Sequence, residues 1–417
     1  MKYKRAKVYL LLFIFCMVSF FTNDFQLINI EKTAIIVAIG IDKVDDEIEV
    51  SAQIAIPQAS NQTTTNSDAI LSAKAKTVYG ALESISLKTG WYPKLTFCNV
   101  IIINKEVIEG DFMPIINYFL TSNRIQSSAV LSVCEQKAKE VLSSTTPLDY
   151  ISSFALQKIL LRNIDRTSSV LISNVQDFCS NMRSHSHFGY MPYIKDIQTD
   201  DKSKESTPSS SRDNQQTNNA MPVSSQSANS GGDQGQGGGS KSGAGEKSSL
   251  YDASETLLFS NGKLACFFTS EQTHCYNLLT KTVKESFLSV NYTHGYDKKV
   301  ALISIVENFY NLKLKIINGI PTLIVNLKII CEKEETTDLY DENDKWSILP
   351  ASALTALENK LKEDIISLIE LSKNTKCDFL KIKEKLYRYE SNHYYELENN
   401  LLDLINYQIN VECQNHN

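Results

Sequence analysis

Few residues in this chain are placed to do chemistry. His185 and His187 stand two apart in Arg183-Ser184-His185-Ser186-His187-Phe188. Imidazoles so close could meet one metal ion, but a stable site needs further ligands, and no adjacent acid or cysteine completes the set. The stretch therefore reads as a surface loop. Glu332, Glu334, Glu335, Asp338, Asp341, Glu342 and Asp344 form an acidic run whose oxygens would suit a hard cation. Its place just beyond a strand pattern reads instead as a solvated loop. Gly237-Gly238-Gly239-Ser240 lacks the preceding strand and following helix that turn a glycine loop into a phosphate cradle. The chain contains no GxSxG, HExxH, P-loop or GxGxxG pattern. The expectation is a protein with no catalytic residues, no metal and no cofactor.

The nine cysteines, at 16, 98, 134, 179, 266, 275, 331, 377 and 413, are scattered, and none has CxxC or CxxH spacing. An odd number, mostly inside apolar patterns, reads as buried thiols and not as a disulfide framework or a zinc site. The chain has 417 residues, 42 % of them hydrophobic, and a net charge of −6. That is ordinary globular composition with room for two domains or more, and it offers no basic field for nucleic acid.

The elements that would position these residues fall on two sides of one boundary. From about Asp200 to Lys247 the chain is almost devoid of apolar residues and rich in Ser, Gly, Gln and Asn, which reads as a disordered linker. The expected fold class is α+β, in four parts: a signal or anchor segment at 1–24, a mixed α/β lobe at 28–198, the linker at 199–250, and at 251–414 a lobe with an antiparallel sheet and a long helix.

In the first lobe, Lys32–Ile41 and the alternating Ile48–Ile56 predict a β-hairpin. Val78, Ala81, Leu82 and Ile85 predict a helix stopped by Gly90. Lys94–Asn104 reads as one buried strand. Helices are expected from Asp111, over Lys137–Leu142, from Pro147, and through Val175, Phe178, Cys179 and Met182, with a strand at Ala129–Cys134.

In the second lobe, Asn261-Gly262 and Asn318-Gly319 lie between strand patterns, as two-residue turns with φ > 0 require. Thr269 and Gln272 predict a capping box. Strands are expected at Ser286–Tyr292 and Lys299–Ile317, the latter returning through Leu323, Val325, Leu327 and Ile329. A long helix should run from near Pro350 to about Ser372, shorter ones over Phe379–Tyr389 and Tyr394–Leu404, and a closing strand over Ile405–Cys413.

The N-terminus supplies an address. Lys2, Lys4, Arg5 and Lys7 precede an apolar run from Val8 to Phe21, the plan of a secretory signal. The run has 14 residues, short of the roughly 20 that span a bilayer, although Phe25, Leu27, Ile28 and Ile30 could extend it into an uncleaved anchor. No other stretch is apolar and long enough to span.

With these elements in order, the chain resembles the Ger(x)C family, the C subunit of spore nutrient germinant receptors. The resemblance rests on Glu31–Asp42 (EKTAIIVAIGID), whose Ala34–Asp42 is similar to the family's AIVVGIGID strand, then on Lys76–Ser86 (KTVYGALESIS) and Pro93–Asn104 (PKLTFCNVIIIN). Phe97-Cys98-Asn99 stands where the family tends to have Phe-Gly-His. Leu257–Phe268, Thr269-Ser270-Glu271, Cys377-Asp378-Phe379 and Leu386-Tyr387-Arg388 follow in the family's order.

The family's lipidated cysteine would be Cys16. A lipobox, however, needs a small residue before the cysteine, and here Phe15 precedes it inside the apolar run. The family's WDxREL stretch is reduced to Gln26–Glu31, and the linker is longer than the family's.

The resemblance implies a membrane-anchored, non-enzymatic lipoprotein subunit on the outer face of the cytoplasmic membrane, here the spore inner membrane. Its partners would be the integral-membrane A and B subunits, and its task receptor assembly or signal transmission during spore germination. Gly40, Asp42, Phe97, Cys98 and Asn99 are the motif positions to follow. Two other readings stay open: an extracytoplasmic solute-binding lipoprotein, which requires a cleft with converging polar groups, and a secreted hydrolase acting on cell wall.

Overall fold

The computed structural model describes residues 9–17, 33–55, 68–122, 125–146, 149, 151–161, 168–197, 249–284, 286–294, 297–336 and 348–416. The linker reading, most of the signal segment and Asp338–Asp344 of the acidic run lie outside these residues.

After a helical stretch at residues 9–17, α1, the chain enters β1 (Thr33–Val44) and folds back through β2 (Glu47–Ala55) and β3 (Asp68–Ala75). Helix α2 (Val78–Thr89) begins at Thr77, whose side chain accepts from Gly80 N, and stops at Gly90 with φ 72°, the left-handed terminus that glycine favours. The expected single strand over 94–104 is in fact two. β4 (Tyr92–Lys94) ends in a turn closed by Cys98 N donating to Leu95 O at 2.9 Å, and β5 (Val100–Asn104) follows.

Helices α3 (Lys105–Ile108) and α4 (Met113–Thr121) lead to β6 (Val130–Cys134), then α5 (Ala138–Ser143) and α6 (Ser152–Leu160). After β7 (Ser173–Asn174) come α7 (Val175–Arg183), β8 (Phe188–Ile197), β9 (Leu250–Ser260) and β10 (Lys263–Phe268).

These strands make one mixed ten-stranded sheet. Its path is β10-β9-β8-β6-β5-β1-β2-β3, with β4 beside β1 and β7 beside β6. The central four, β8, β6, β5 and β1, pair in parallel, and antiparallel hairpins flank them. Every residue of β5 and β6 is buried, as a parallel centre covered on both faces requires. One face packs α2, α4 and α7 through Leu82, Ile116 and Phe178, and the other packs α5 and α6 through Leu142 and Leu156. A register shift between Ile36 and Ala38 puts Ile36 on the same face as Ile39 and Ile41, despite the odd spacing.

The second half begins with α8 (Ser270–Thr280), which carries the expected capping box: Gln272 N donates to Thr269 Oγ1 and Thr269 N to Gln272 Oε1. Strands β11 (Ser286–His294), β12 (Asp297–Ile317) and β13 (Ile320–Thr336) are antiparallel neighbours. Both Asn-Gly turns have positive φ at both residues, 50° and 75° at Asn261-Gly262 and 52° and 79° at Asn318-Gly319.

Helix α9 (Ala351–Thr375) lays Ala353, Leu357, Leu361, Ile365 and Leu368 on the core, a spacing of three and four. α10 (Ile382–Tyr389) follows. The expected helix over 394–404 is broken into α11 (Tyr394–Leu397) and α12 (Leu401–Leu404). β14 (Asn406–Asn415) closes the second sheet in parallel with β13.

Two boundaries of the molecule differ. The stretch 250–268 follows the linker in sequence, yet β9 and β10 belong to the first sheet. Phe188, Leu258 and Phe268, from the back of that sheet edge, share a core with Tyr276, Phe379 and Leu386 of the second half. Phe268 meets Phe379 edge-on at 4.9 Å between ring centroids, so the halves join through a continuous apolar core.

Candidate functional site at the junction of the two halves

The motif residues of the first half turn inward. Asp42, at the end of β1, is 2 % exposed. Its carboxylate accepts from Ala138 N at 2.6 Å and Lys139 N at 3.0 Å, the free N–H groups at the start of α5. Lys137, the residue at that helix's N-cap, makes no side-chain cap bond, so Asp42 performs the task from 96 residues away. Burial raises the Asp42 pKa, and the two backbone N–H bonds oppose that rise.

Gly40 completes the seat, since a Cβ there would lie 3.0 Å from Ala138 Cβ and 3.2 Å from the Ala138 carbonyl carbon. Cys98 is fully buried, which pushes its thiol up to about 12 and leaves it no thiolate for chemistry. Asn99 bridges three strands with its backbone, donating to Val37 O at 3.1 Å and accepting from Val130 N at 2.8 Å. Phe97 alone of the motif is exposed.

The histidine loop is likewise taken up in contacts, but these cross to the second half. His185 stacks on Tyr387 at 3.8 Å between ring centroids, and its Nδ1 lies 3.0 Å from Tyr394 Oη. Its backbone N donates to Glu384 Oε2 at 3.2 Å. Ser186 Oγ donates to Asp378 Oδ2 at 2.6 Å. His187 points elsewhere, with Nδ1 3.0 Å from Met182 O. The two imidazoles therefore share no metal site, and no cluster of three metal-ligating side chains occurs among the described residues.

Asp378 was not singled out by its spacing. Its carboxylate also accepts from Ile382 N at 2.7 Å and Lys383 N at 2.8 Å, capping α10, whose own N-cap Lys381 is left-handed at φ 56° and makes no side-chain cap bond. Burial raises its pKa to about 6 against these three donors.

Beside this clamp lies an open cavity of ≈ 390 Å³. It is lined by Tyr190 of β8, Tyr276 of α8, Tyr310 and Leu312 of β12 and Phe379, together with Lys281, Lys381 and Lys385. Burial lowers the pKa of all three lysines and pushes Tyr190 up to about 12. Lys381 Nζ is held by Asn181 Oδ1 at 3.0 Å.

One pairing that resembles a catalytic dyad lies away from this cavity. His274 Nε2 is 2.6 Å from Ser286 Oγ, which is 2.5 Å from Ser168 Oγ. Burial, with Lys360 nearby, lowers His274 to about 4, so it is a weak base, and no carboxylate orients it among the described residues. This arrangement serves a buried polar link between residues 168–170 and the second sheet, since Asn277 Nδ2 also donates to Ser168 O at 2.7 Å.

With the geometry in place, the class of protein is a two-part α+β chain whose notable polar groups fasten one part to the other. Comparison with protein families finds "Spore germination protein N-terminal domain" over residues 27–196 and "Spore germination B3/GerAC like, C-terminal" over residues 254–416. The chain belongs to the Ger(x)C family of spore germination proteins. Among solved structures, the crystal structure of the GerBC protein matches with a TM-score of 0.44 and 13 % identity, covering 91 % of this chain and 97 % of that one. A search of curated proteins found no match.

Proposed function

We propose that this chain is the C subunit of a spore nutrient germinant receptor, held on the outer face of the spore inner membrane by its N-terminal segment. In that place it contributes receptor assembly or signal transmission, with the A and B integral-membrane subunits as partners, and performs no catalysis of its own. The observation that carries this reading is the presence of both family domains, in order, on either side of the linker. The site chemistry is in keeping with it: Asp42, Asp378, His185 and His274 are each engaged in holding elements together. No described helix is long and apolar enough to cross a membrane, so attachment would rest on the basic and apolar segment before Thr33.

The test is deletion of the gene followed by nutrient-germination assays of the spores. Loss of the response to at least one nutrient, restored by the wild-type gene, is the expected result. An unchanged response to every nutrient, in a strain also lacking paralogous receptors, would sink the proposal.

A second reading, capture of a small anionic solute, is favoured by the cavity lined by tyrosines and lysines. Titration calorimetry of the intact chain with candidate amino acids and organic acids separates the two, because the receptor reading expects no tight binding by this chain alone.

A further inference from the structure

The segment from Leu87 to Phe97 has a surface unlike the rest of the first half. Leu87 is 78 % exposed, Trp91 47 %, Tyr92 53 % and Phe97 51 %. These four large apolar groups follow one another through the last turn of α2, strand β4 and the turn after it. Lys88 and Lys94 are exposed among them, and no Asp or Glu occurs from Ser84 to Lys105. An acid-free, basic and aromatic stretch, with exposed Glu83 one helical turn before Leu87, on a chain of net charge −6 is the composition found where proteins meet anionic headgroups. Trp and Tyr rings suit the interface between water and hydrocarbon, and lysine stems reach out to phosphate.

Its position points the same way. β4 pairs in parallel with the first residues of β1, Thr33 opposite Tyr92 and Ile35 opposite Lys94. The patch therefore flanks the point at which the described fold begins. Only residues 22–32 separate that point from the apolar run ending at Phe21, a tether of at most about 40 Å when fully extended.

We propose that the Leu87–Phe97 surface rests in the headgroup region of the bilayer that holds the N-terminal segment, fixing how the first half stands on the membrane. This rests on the anchoring reading above. The occupant is the lipid surface: the aromatic groups and two lysines match a bilayer carrying negative charge, and the neighbouring chain leads into the apolar segment.

The experiment uses the full-length chain in vesicles of phosphatidylcholine with phosphatidylglycerol. Flotation reads anchoring. Trp346→Phe leaves Trp91 as the one tryptophan of two, and lipids brominated near the headgroup or deep in the chains read its depth. The expected result is flotation with Trp91 fluorescence at least halved by shallow bromines and less affected by deep ones. The double variant Lys88→Glu/Lys94→Glu should float equally while losing most of that quenching. Flotation without quenching overturns the patch alone, as it would if a protein partner or water covered it. Failure to float overturns anchoring and the patch with it. Should Trp346→Phe destabilise the chain, the difference in quenching between wild type and Trp91→Phe gives the same reading.

Discussion

Asp42 and Asp378 put the same chemical group to the same use in the two halves, yet their reach differs. Each buries a carboxylate on two backbone N–H groups at the start of a helix. Asp42 stands on a strand and caps a helix of its own half, with Glu49 and Lys139 paired at 2.8 Å alongside. Asp378 caps a helix that begins four residues later and spends its remaining capacity on Ser186, from the other half. The first aspartate is a fastening within one layered sheet. The second is a joint, because the group that shapes α10 also registers the first half against it. A buried carboxylate with three donors is stable only while all three are in place, so α10 and the histidine loop should lose order together.

The largest expected effect is that of Asp378→Ala. Three charge-assisted bonds and a buried acceptor disappear, a cost of about 3–5 kcal/mol. Hydrogen exchange should then show loss of protection in both α10 and the loop at 183–188. Loss of protection in α10 alone would break the idea of a joint. Asp42→Ala should cost about 2–4 kcal/mol, with exchange faster in α5 and unchanged in α10.

A smaller effect, about 1–2 kcal/mol, is expected of Ser186→Ala. Its effect on thermal stability should be strongly non-additive with that of Asp378→Ala in a double-mutant cycle, whereas Ser186→Ala combined with Asp42→Ala should add.

The last test is a pH effect at the same group. The Asp378 pKa is raised by burial from 3.8 to about 6, so between those values the folded state binds the extra proton. This group's contribution is thus fully present below about pH 4 and is lost as pH rises through 6. The wild-type melting temperature minus that of Asp378→Asn should fall over that range, and a rise would show the sign to be wrong.

Much of the fold was legible in the residues because it rests on local physics. Asn-Gly turns, the Thr269 capping box and the three-four spacing of α9 are all written within a few residues of where they act. β3 was hidden behind the Gln, Asn and Thr stretch before Asp68. β8 escaped notice because it is buried on both faces and carries Gly189 and Pro192, so no alternation marks it. Lys94–Asn104 reads as one apolar strand, and only the turn bond from Cys98 to Leu95 shows the break.

The site was less legible. Gly40 and Asp42 stood out by resemblance, but that they seat α5 needs a contact 96 residues away. The histidine stretch read as a surface loop, whereas the residue between the two, Ser186, makes the telling bond across the halves. Asp378 carried no local signal beyond its place in the family's order. A two-residue-spaced pair of histidines beside a serine does not reveal which of the three faces a distant carboxylate.

The pairing of β8 with β9 bears on how this gene can change. Ile197 lies opposite Leu250, and Ser249 Oγ donates to Asp196 Oδ2 at 3.0 Å, so the described residues on either side of 198–248 are neighbours on one sheet. Lengthening a segment whose ends are held side by side in this way is thermodynamically inexpensive, about 0.6 kcal/mol for each doubling. Folding therefore opposes changes of length in this stretch only weakly. Length differences here between related genes would record neutral history, and an epitope or fluorescent reporter could be inserted at this position with both halves left intact.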